Sequence, residues 1–570
     1  MKHLATLLLF ALAARSHAQF TYHHAFAMGN TTYDAGQDIA VDDNGNVYVT
    51  GSFTAWFDAD PGAGTTILQS AGDNDVFLAK FNDAGVLQWA FSAGGSGFDA
   101  AYGVEVSGNQ LYLVGATASS DGDFDPGAGT LTFANLGAGD IFVVRYDLNG
   151  TLVSGFTVGG SGDESAVDIE VEANGDFAIC GNYDGADFDA DPAIDVSALP
   201  AAAGDDAFLI KYDAFNMLLF GHGFGGGGNL DSDRALGMHR AASGDLYVTG
   251  SFSSTGGDFD PGPGTTTLSS AGSIDLFLSK FNAAGTFQWA KRIGDTGGDL
   301  GYAIATDSNG DVYLSGYANS ASVDLDPGPD VETFSSGAGQ DIILVKLTPA
   351  GDYIRGLRIG GGSSDIGFTV LVDDQDHLFL AGEFGDIDVD MDPGAGTALL
   401  SSTSAFETDL FLAQFDTAFT FVDAFDVGGI GGDAVWAGAL TATGRLWVTG
   451  KAEGPADADP GSGTALLAAL GGSDIFVGAY DHLHPMGIEE VVAPALTLQP
   501  NPARDRVTVD LRTQGSALLE LTDARGRVLL TQQVPSFPVE LDLRNVPAGI
   551  YTLTVNDGAA RQGRKLLRLP

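Results

Sequence analysis

Apolar and aromatic residues gather along this chain into short runs that each end in glycine. They read Val47-Tyr48-Val49-Thr50-Gly51, Leu111-Tyr112-Leu113-Val114-Gly115, Phe177-Ala178-Ile179-Cys180-Gly181 and Leu246-Tyr247-Val248-Thr249-Gly250, then Val312-Tyr313-Leu314-Ser315-Gly316, Leu378-Phe379-Leu380-Ala381-Gly382 and Leu446-Trp447-Val448-Thr449-Gly450. The closing glycines are 64, 66, 69, 66, 66 and 68 residues apart. Seven units of nearly constant length mean a repeat architecture. Each unit holds four strand candidates, read from β-branched and aromatic enrichment between turn residues. In the first unit, strand a is Ile39-Ala40-Val41 and strand b runs from Val47 to Phe53. Strand c runs from Val76 to Phe81 and strand d from Val86 to Phe91.

Four antiparallel strands repeated seven times predict an all-β fold, a seven-bladed β-propeller over residues 19–485. The seventh unit has a strand c, Ile475 to Tyr480, but no strand d after it. The missing piece lies at the other end, where Tyr22 to Gly29 lines up with Leu87 to Gly94. An N-terminal strand completing the last blade would close the ring and remove a sheet edge. The longer excursion between strands b and c is expected to add a small hairpin to each blade. After a linker at 486–495, residues 496–570 change to short alternating strands and suggest a small C-terminal β-sandwich.

Each b–c excursion contains Asp-x-Asp-Pro. The pairs are Asp58 and Asp60, Asp123 and Asp125, Asp189 and Asp191, Asp258 and Asp260, Asp324 and Asp326, Asp390 and Asp392, and Asp457 and Asp459. Two units extend the ladder, with Asp187 before Asp189, and with Asp386 and Asp388 before Asp390. Strand c opens with an acid in every unit, as at Asp75, and so does the d–a connection, as at Asp99. In an up-and-down blade these acids emerge on one face. Two readings follow. Asp before Pro-Gly opens a tight turn by accepting from backbone N–H groups. Ca2+ needs six to eight oxygens, and alternate residues of an extended segment can aim both carboxylates at one ion, so all seventeen aspartates of these pairs and ladders are candidate calcium ligands. The pattern is similar to the Asp-x-Asp-x-Asp-Gly calcium loops of integrin-type propellers, with Pro in place of the loop glycine. His23, His24, His482 and His484 are a further candidate cluster, for Zn2+ or Cu2+, at the chain junction.

Charge narrows the partners. The chain of 570 residues has a formal net charge of -50, and residues 19–493 hold 13 cations against 68 acids. Such a surface repels nucleic acid and attracts cations. Residues 1–18 read as a secretory signal peptide: Lys2 and His3, an apolar run from Leu4 to Ala14, and Ser16-His17-Ala18 for the peptidase. That run is too short to span a bilayer, and no transmembrane segment follows. Cys180 stands alone, at a position where other units have Thr or Ser, and reads as a small buried strand residue. The near-equal units and the acids repeated in every one favour a binding or scaffold protein over an enzyme. The alternative is a polysaccharide lyase or glycosidase.

The units resemble the secreted β-propeller repeat family through Gly45 to Gly51 and the Asp-Pro-Gly-x-Gly turn. The last seventy residues resemble the type A C-terminal sorting domain of the type IX secretion system. Pro500-Asn501-Pro502, Gly549 and Tyr551 in a Gly-x-Tyr strand, and a basic terminal strand from Lys565 carry that resemblance. It implies a source in the Bacteroidota, the type IX secretion machinery as a partner, and a secreted or outer-membrane cell-surface location. A binding protein in that place is expected to take an extracellular ligand, glycan or protein.

Overall fold

The computed structural model describes residues 20–482, 497–510, 517–523, 527–535, 538–556 and 561–569, apart from short segments at 194–195, 201–203, 227–231, 336–338, 405–406, 462, 468 and 470–471. The signal peptide and linker expected at 1–18 and 486–495 lie outside the described residues. The chain divides into two units, residues 1–483 and 484–570. All regular structure among the described residues is β.

The first unit contains seven four-stranded antiparallel sheets. In the first repeat, strands a to d are Ala35–Val41, Val47–Phe53, Asp75–Phe81 and Leu87–Ala93. Strand b is buried along its whole length, because both faces of each sheet pack on a neighbour. Its continuous run of β-branched and aromatic residues suits that position, where alternation would not. Strand d is mostly half-buried.

Strands a of successive repeats touch in cyclic order, and the strand a of the last repeat, Ala434–Leu440, touches that of the first. Seven apolar clusters fill the gaps between neighbouring sheets, among them one that packs Trp447, Ile475 and Val477 on Ile39, Val49 and Phe77. Phe20–Met28 pairs antiparallel with Asp474–His482 and supplies the outermost strand of the last sheet. At every seam the residue at the start of strand a donates its N–H to the carbonyl just before strand c of the preceding sheet, over 2.7–2.9 Å, with Asp34 to Ser473 as the seventh.

The b–c excursion forms a two-stranded sheet in five repeats, for example Trp56–Asp58 with Ile67–Gln69. Around Asp123 and Asp189 only isolated bridges form, so the expected hairpin is reduced there.

The second unit has a three-stranded sheet of Thr497–Gln499, Arg506–Asp510 and Val539–Asp542. It also has a four-stranded sheet of Val528–Val534, Ala517–Asp523, Gly549–Asn556 and Arg561–Arg568. Val507, Leu519, Leu541 and Leu553, from both sheets, share one apolar cluster.

Candidate functional site

Every Asp-x-Asp-Pro turn is built the same way. The first Asp uses one oxygen for two backbone N–H groups: Asp58 Oδ1 accepts from Asp60 at 3.1 Å and from Thr66 at 2.7 Å. Asp123, Asp189, Asp258, Asp324, Asp390 and Asp457 repeat this double acceptance in their own turns.

The second Asp accepts from the N–H two residues on, as Asp60 Oδ1 does from Gly62 at 2.8 Å. Asp125 accepts from Gly127, Asp260 from Gly262, Asp392 from Gly394 and Asp459 from Gly461, each at 2.8 Å. Asp326 accepts from Gly328 at 2.6 Å, and Asp191 from Ala193 at 2.9 Å, in the unit that lacks the glycine. A Cβ on Gly64 would collide with Asp60 Oδ2, so the second glycine of Asp-Pro-Gly-x-Gly is there for space.

The added acids face other partners. Asp187 Oδ1 accepts from the Ser161 N–H and hydroxyl, Asp386 Oδ2 from the N–H groups of Gly362 and Ser363, and Asp388 Oδ1 from the Ser401 hydroxyl. In this structure the carboxylates of the turns and ladders accept hydrogen bonds from backbone N–H and hydroxyl groups. Among the described residues, none of Asp58, Asp60, Asp123, Asp125, Asp187, Asp189, Asp191, Asp258 and Asp260 belongs to a group of three close metal-ligating side chains. The same holds for Asp324, Asp326, Asp386, Asp388, Asp390, Asp392, Asp457 and Asp459. Each turn's own N–H groups draw the carboxylates back onto the backbone.

The other two acids of each repeat are buried and meet at the seams. Asp365 Oδ1 and Oδ2 accept from Gly385 and Gly361, each at 3.0 Å, tying the end of strand b to the d–a turn. Asp75 Oδ2 accepts from Ala71 at 2.6 Å, while its Oδ1 has no hydrogen-bond partner. A Cβ on Gly94 would lie 2.5 Å from Asp75 Oδ1 and 2.8 Å from Asp99 Oδ2, so two carboxyl groups converge on one glycine. Burial, with the neighbouring carboxylate as a smaller contribution, pushes Asp75 up to about 6, Glu164 to about 8, and Asp365 and Asp433 to about 7.

The centre of the ring carries side chains that sequence reasoning did not single out. Each strand a has a bulge, at residues 37, 102, 167, 236, 302, 368 and 436 of the successive repeats. A bulge re-aims a side chain, and the bulged residues line a central pocket of about 370 Å³: Gln37, Tyr102, Val167, Leu236, Tyr302, Phe368 and Trp436. Tyr302 and Phe368 meet edge to face with ring centroids 4.9 Å apart. Asp38 and Asp168 also line it. Each bridges to strand a of the next repeat, with Asp38 Oδ2 accepting from Val104 and Asp168 Oδ2 from Met238, both at 2.7 Å. Burial raises Asp38 to about 7 and lifts Asp168 well above the ordinary carboxylate range. The signal available in the sequence was an acid inside an otherwise apolar strand a.

Cys180 is buried. The histidines do not assemble as the sequence suggested: His24 packs on Trp447 and Phe26, and His482 meets Asp373 and His377 instead, because the register sets Phe20 rather than His23 or His24 opposite His482. His484 lies outside the described residues.

In the second unit, Asn501 clamps the last strand from between Pro500 and Pro502: its Nδ2 donates to the Lys565 carbonyl at 2.7 Å and its Oδ1 accepts from Leu567 at 3.0 Å. Tyr551, two residues after Gly549, is buried and its hydroxyl donates to the Pro547 carbonyl at 2.7 Å. Lys565 is exposed. The motif residues thus join the two ends of this module.

Comparison with known proteins agrees with this division. Residues 497–568 match the family model for the secretion system C-terminal sorting domain, and residues 28–52 and 288–322 match that for the beta-propeller repeat. The chain is 26% identical over 338 residues to regulatory protein FlaEY of Caulobacter vibrioides, covering 58% of this chain and 34% of that protein. It is 24% identical over 426 residues to an uncharacterized WD repeat-containing protein, L264, of Acanthamoeba polyphaga mimivirus, covering 63% and 30%. It therefore spans about a third of the length of these relatives. Similar solved structures include a protein of unknown function from Dyadobacter fermentans, with 10% identity, TM-score 0.38, and 81% and 99% of the two chains covered. Sqt1 from Chaetomium thermophilum is another, with 11% identity, TM-score 0.39, and 82% and 100% covered. The chain thus carries β-propeller repeats and a secretion-system C-terminal sorting domain, which points to the outside of the cell or its surface.

Proposed function

We propose that this chain is a seven-bladed β-propeller with a C-terminal β-sandwich, exported by the type IX machinery, and that it works outside the cell as a binding protein. Its ligand site is the central pocket. One observation carries this reading: a backbone bulge repeated seven times presents seven side chains of six different kinds, four of them aromatic. Elsewhere the units largely copy one another, and departure from the copy at one address is what a specific site requires. Aromatic faces beside Gln37, Asp38 and Asp168 suit a neutral oligosaccharide, whose C–H faces stack on rings while its hydroxyls donate to carboxyl and amide oxygens. The net charge of -50 disfavours polyanionic glycans.

The test is calorimetric titration of a panel of neutral oligosaccharides into the full chain. Binding should fall at least tenfold in Trp436→Ala and Tyr302→Ala and persist in Trp89→Ala, on an outer strand. Binding indifferent to all three would remove the pocket from consideration. A second reading, glycoside cleavage, is favoured by the raised carboxyl groups of Asp38 and Asp168 in the same pocket, the state a general acid needs. It requires release of reducing ends from a polysaccharide, lost in Asp38→Asn.

The Asp-x-Asp-Pro carboxylates are read as staples for the b–c turn, satisfied by backbone N–H groups, rather than as calcium ligands.

A further inference from the structure

At the opposite end of the sheets from the acid-rich face, the a–b turns of the first and fifth repeats share one arrangement, and the sixth repeat departs from it. Asp42 and Asp307 each cap their own turn with Oδ1, which accepts from the N–H groups two and four residues on. Oδ2 is left for fixed donors. In the fifth repeat these are the Tyr313 hydroxyl at 3.0 Å and Lys346 Nζ at 3.2 Å, and the ammonium also lies over the Tyr313 ring. In the first repeat they are Asn46 Nδ2 at 2.8 Å, the Tyr48 hydroxyl at 3.1 Å and, at 4.0 Å, Lys80.

The sixth repeat keeps the cap, with Asp373 Oδ1 accepting from Gln375 at 2.9 Å and from His377 at 2.8 Å. Both of the other donors are gone: Phe379 stands where Tyr313 does, and Gln414, opposite it, stands where Lys346 does. Gln414 is 1% exposed, and neither of its amide atoms has a hydrogen-bond partner. Two imidazoles take the space instead. His377 Nδ1 lies 2.8 Å from Asp373 Oδ2, and His482 Nε2, reaching in from the last repeat, lies 3.4 Å from the same oxygen. The His482 ring packs on Phe379 with centroids 4.5 Å apart, in the slot a lysine fills elsewhere.

We propose that Asp373, His377 and His482 form a binding site for a divalent transition-metal ion, with Zn2+ as the fitting class, at the seam of the sixth and seventh repeats. One ligand atom from each residue lies within 4.8 Å of the other two. Ligands 2.0–2.1 Å from a tetrahedral zinc sit about 3.3 Å apart, so small side-chain rotations suffice. Two neutral imidazoles and one carboxylate are a borderline set that suits zinc better than calcium, and a water would complete four-coordination.

The experiment titrates Zn2+ into the tag-free full chain by calorimetry, with Co2+ as a visible-absorption probe of tetrahedral geometry. One ion should bind per chain, raising the melting temperature. His377→Gln leaves both backbone caps of the turn in place and should weaken binding at least tenfold. Gln414→Lys restores the ion pair of the fifth repeat, so it should expel the metal while the protein stays folded. Absence of one-to-one binding, or binding that either substitution leaves unchanged, overturns the site.

Discussion

Asp58 and Asp60 lie in a half-exposed turn of the first repeat, and Asp75 and Asp99 are buried at the same end of its sheets, yet the fold treats the two pairs in opposite ways. The outer pair serves N–H groups that would otherwise face water, and each carboxylate simply replaces that water. The inner acids are 2% and 0% exposed and converge on Gly94. There the charge is expensive, and buried acids at several seams are shifted toward their protonated form. A high count of acid on one face therefore describes two devices. One holds a loop, and the other locks neighbouring sheets together and titrates.

The sharpest way to break the inner device is Asp365→Ala. It removes the acceptor for two backbone N–H groups, that of half-buried Gly361 and that of buried Gly385. Each stranded donor costs roughly 1–3 kcal/mol, so a loss of about 3–5 kcal/mol in urea unfolding is expected. Asp365→Asn keeps one acceptor and removes the buried charge, and should cost less than half as much. Equal losses would mean that the charge, not the hydrogen bonding, holds the seam.

A smaller effect follows from pH. Asp34, Asp75, Asp140 and Asp409 are raised to about 6, Asp365 and Asp433 to about 7, and Glu164 to about 8, burial being the first cause in each. In the unfolded chain they titrate near about 4. Between those values the folded state binds more protons than the unfolded one, so stability is greatest at the acid end and declines as pH rises, until the last of these groups has ionised. Urea unfolding should show a more stable chain at pH 5 than at pH 8, by about a few kcal/mol after allowance for partial exposure. Asp373, held low, contributes in the other direction. A stability that climbs from pH 5 to pH 8 would show that the seam acids are ionised throughout.

Repetition made the sheets legible. Strand b announces itself because burial on both faces leaves only apolar and small residues, and its spacing gives the unit. What repetition hid was anything that depends on a neighbouring unit. The convergence of Asp75 with Asp99 joins residues from different repeats, and nothing in either local sequence marks one as the other's partner. The carboxylates of Asp125, Asp191, Asp260, Asp326 and Asp459 left two readings open for the opposite reason, since their spacing suits an ion and a backbone turn equally well. The pocket escaped because a bulge at residue 37 or 436 changes which side chain points inward without changing the apolar pattern, so Trp436 and Gln37 look like ordinary strand positions. The motif residues of the terminal module were legible as a signature, but Asn501 reaches Lys565 and Leu567 across the whole module, and only the structure shows why an amide sits between two prolines.

The outer device sets the smallest expected effect and the most direct test of its chemistry. If Asp58 is a staple, Asp58→Ala loses an acceptor shared by Asp60 and Thr66 in a turn that water can reach, and the cost should resemble that of a lost helix cap, about 1 kcal/mol. Asp58→Asn, whose amide oxygen can take the same two N–H groups, should restore most of it. A calcium site makes the reverse demand, because the amide is a poor substitute for a carboxylate and the penalty would appear only with the ion present. The two readings separate in a four-way measurement of melting temperature, native and Asp58→Asn, with Ca2+ and with chelator. Staples predict a small shift from the substitution and the same shift in both solutions. Calcium predicts a saturable rise for the native chain that the variant reduces by one site's share, and the ladder from Asp386 to Asp392 would be the place to repeat it.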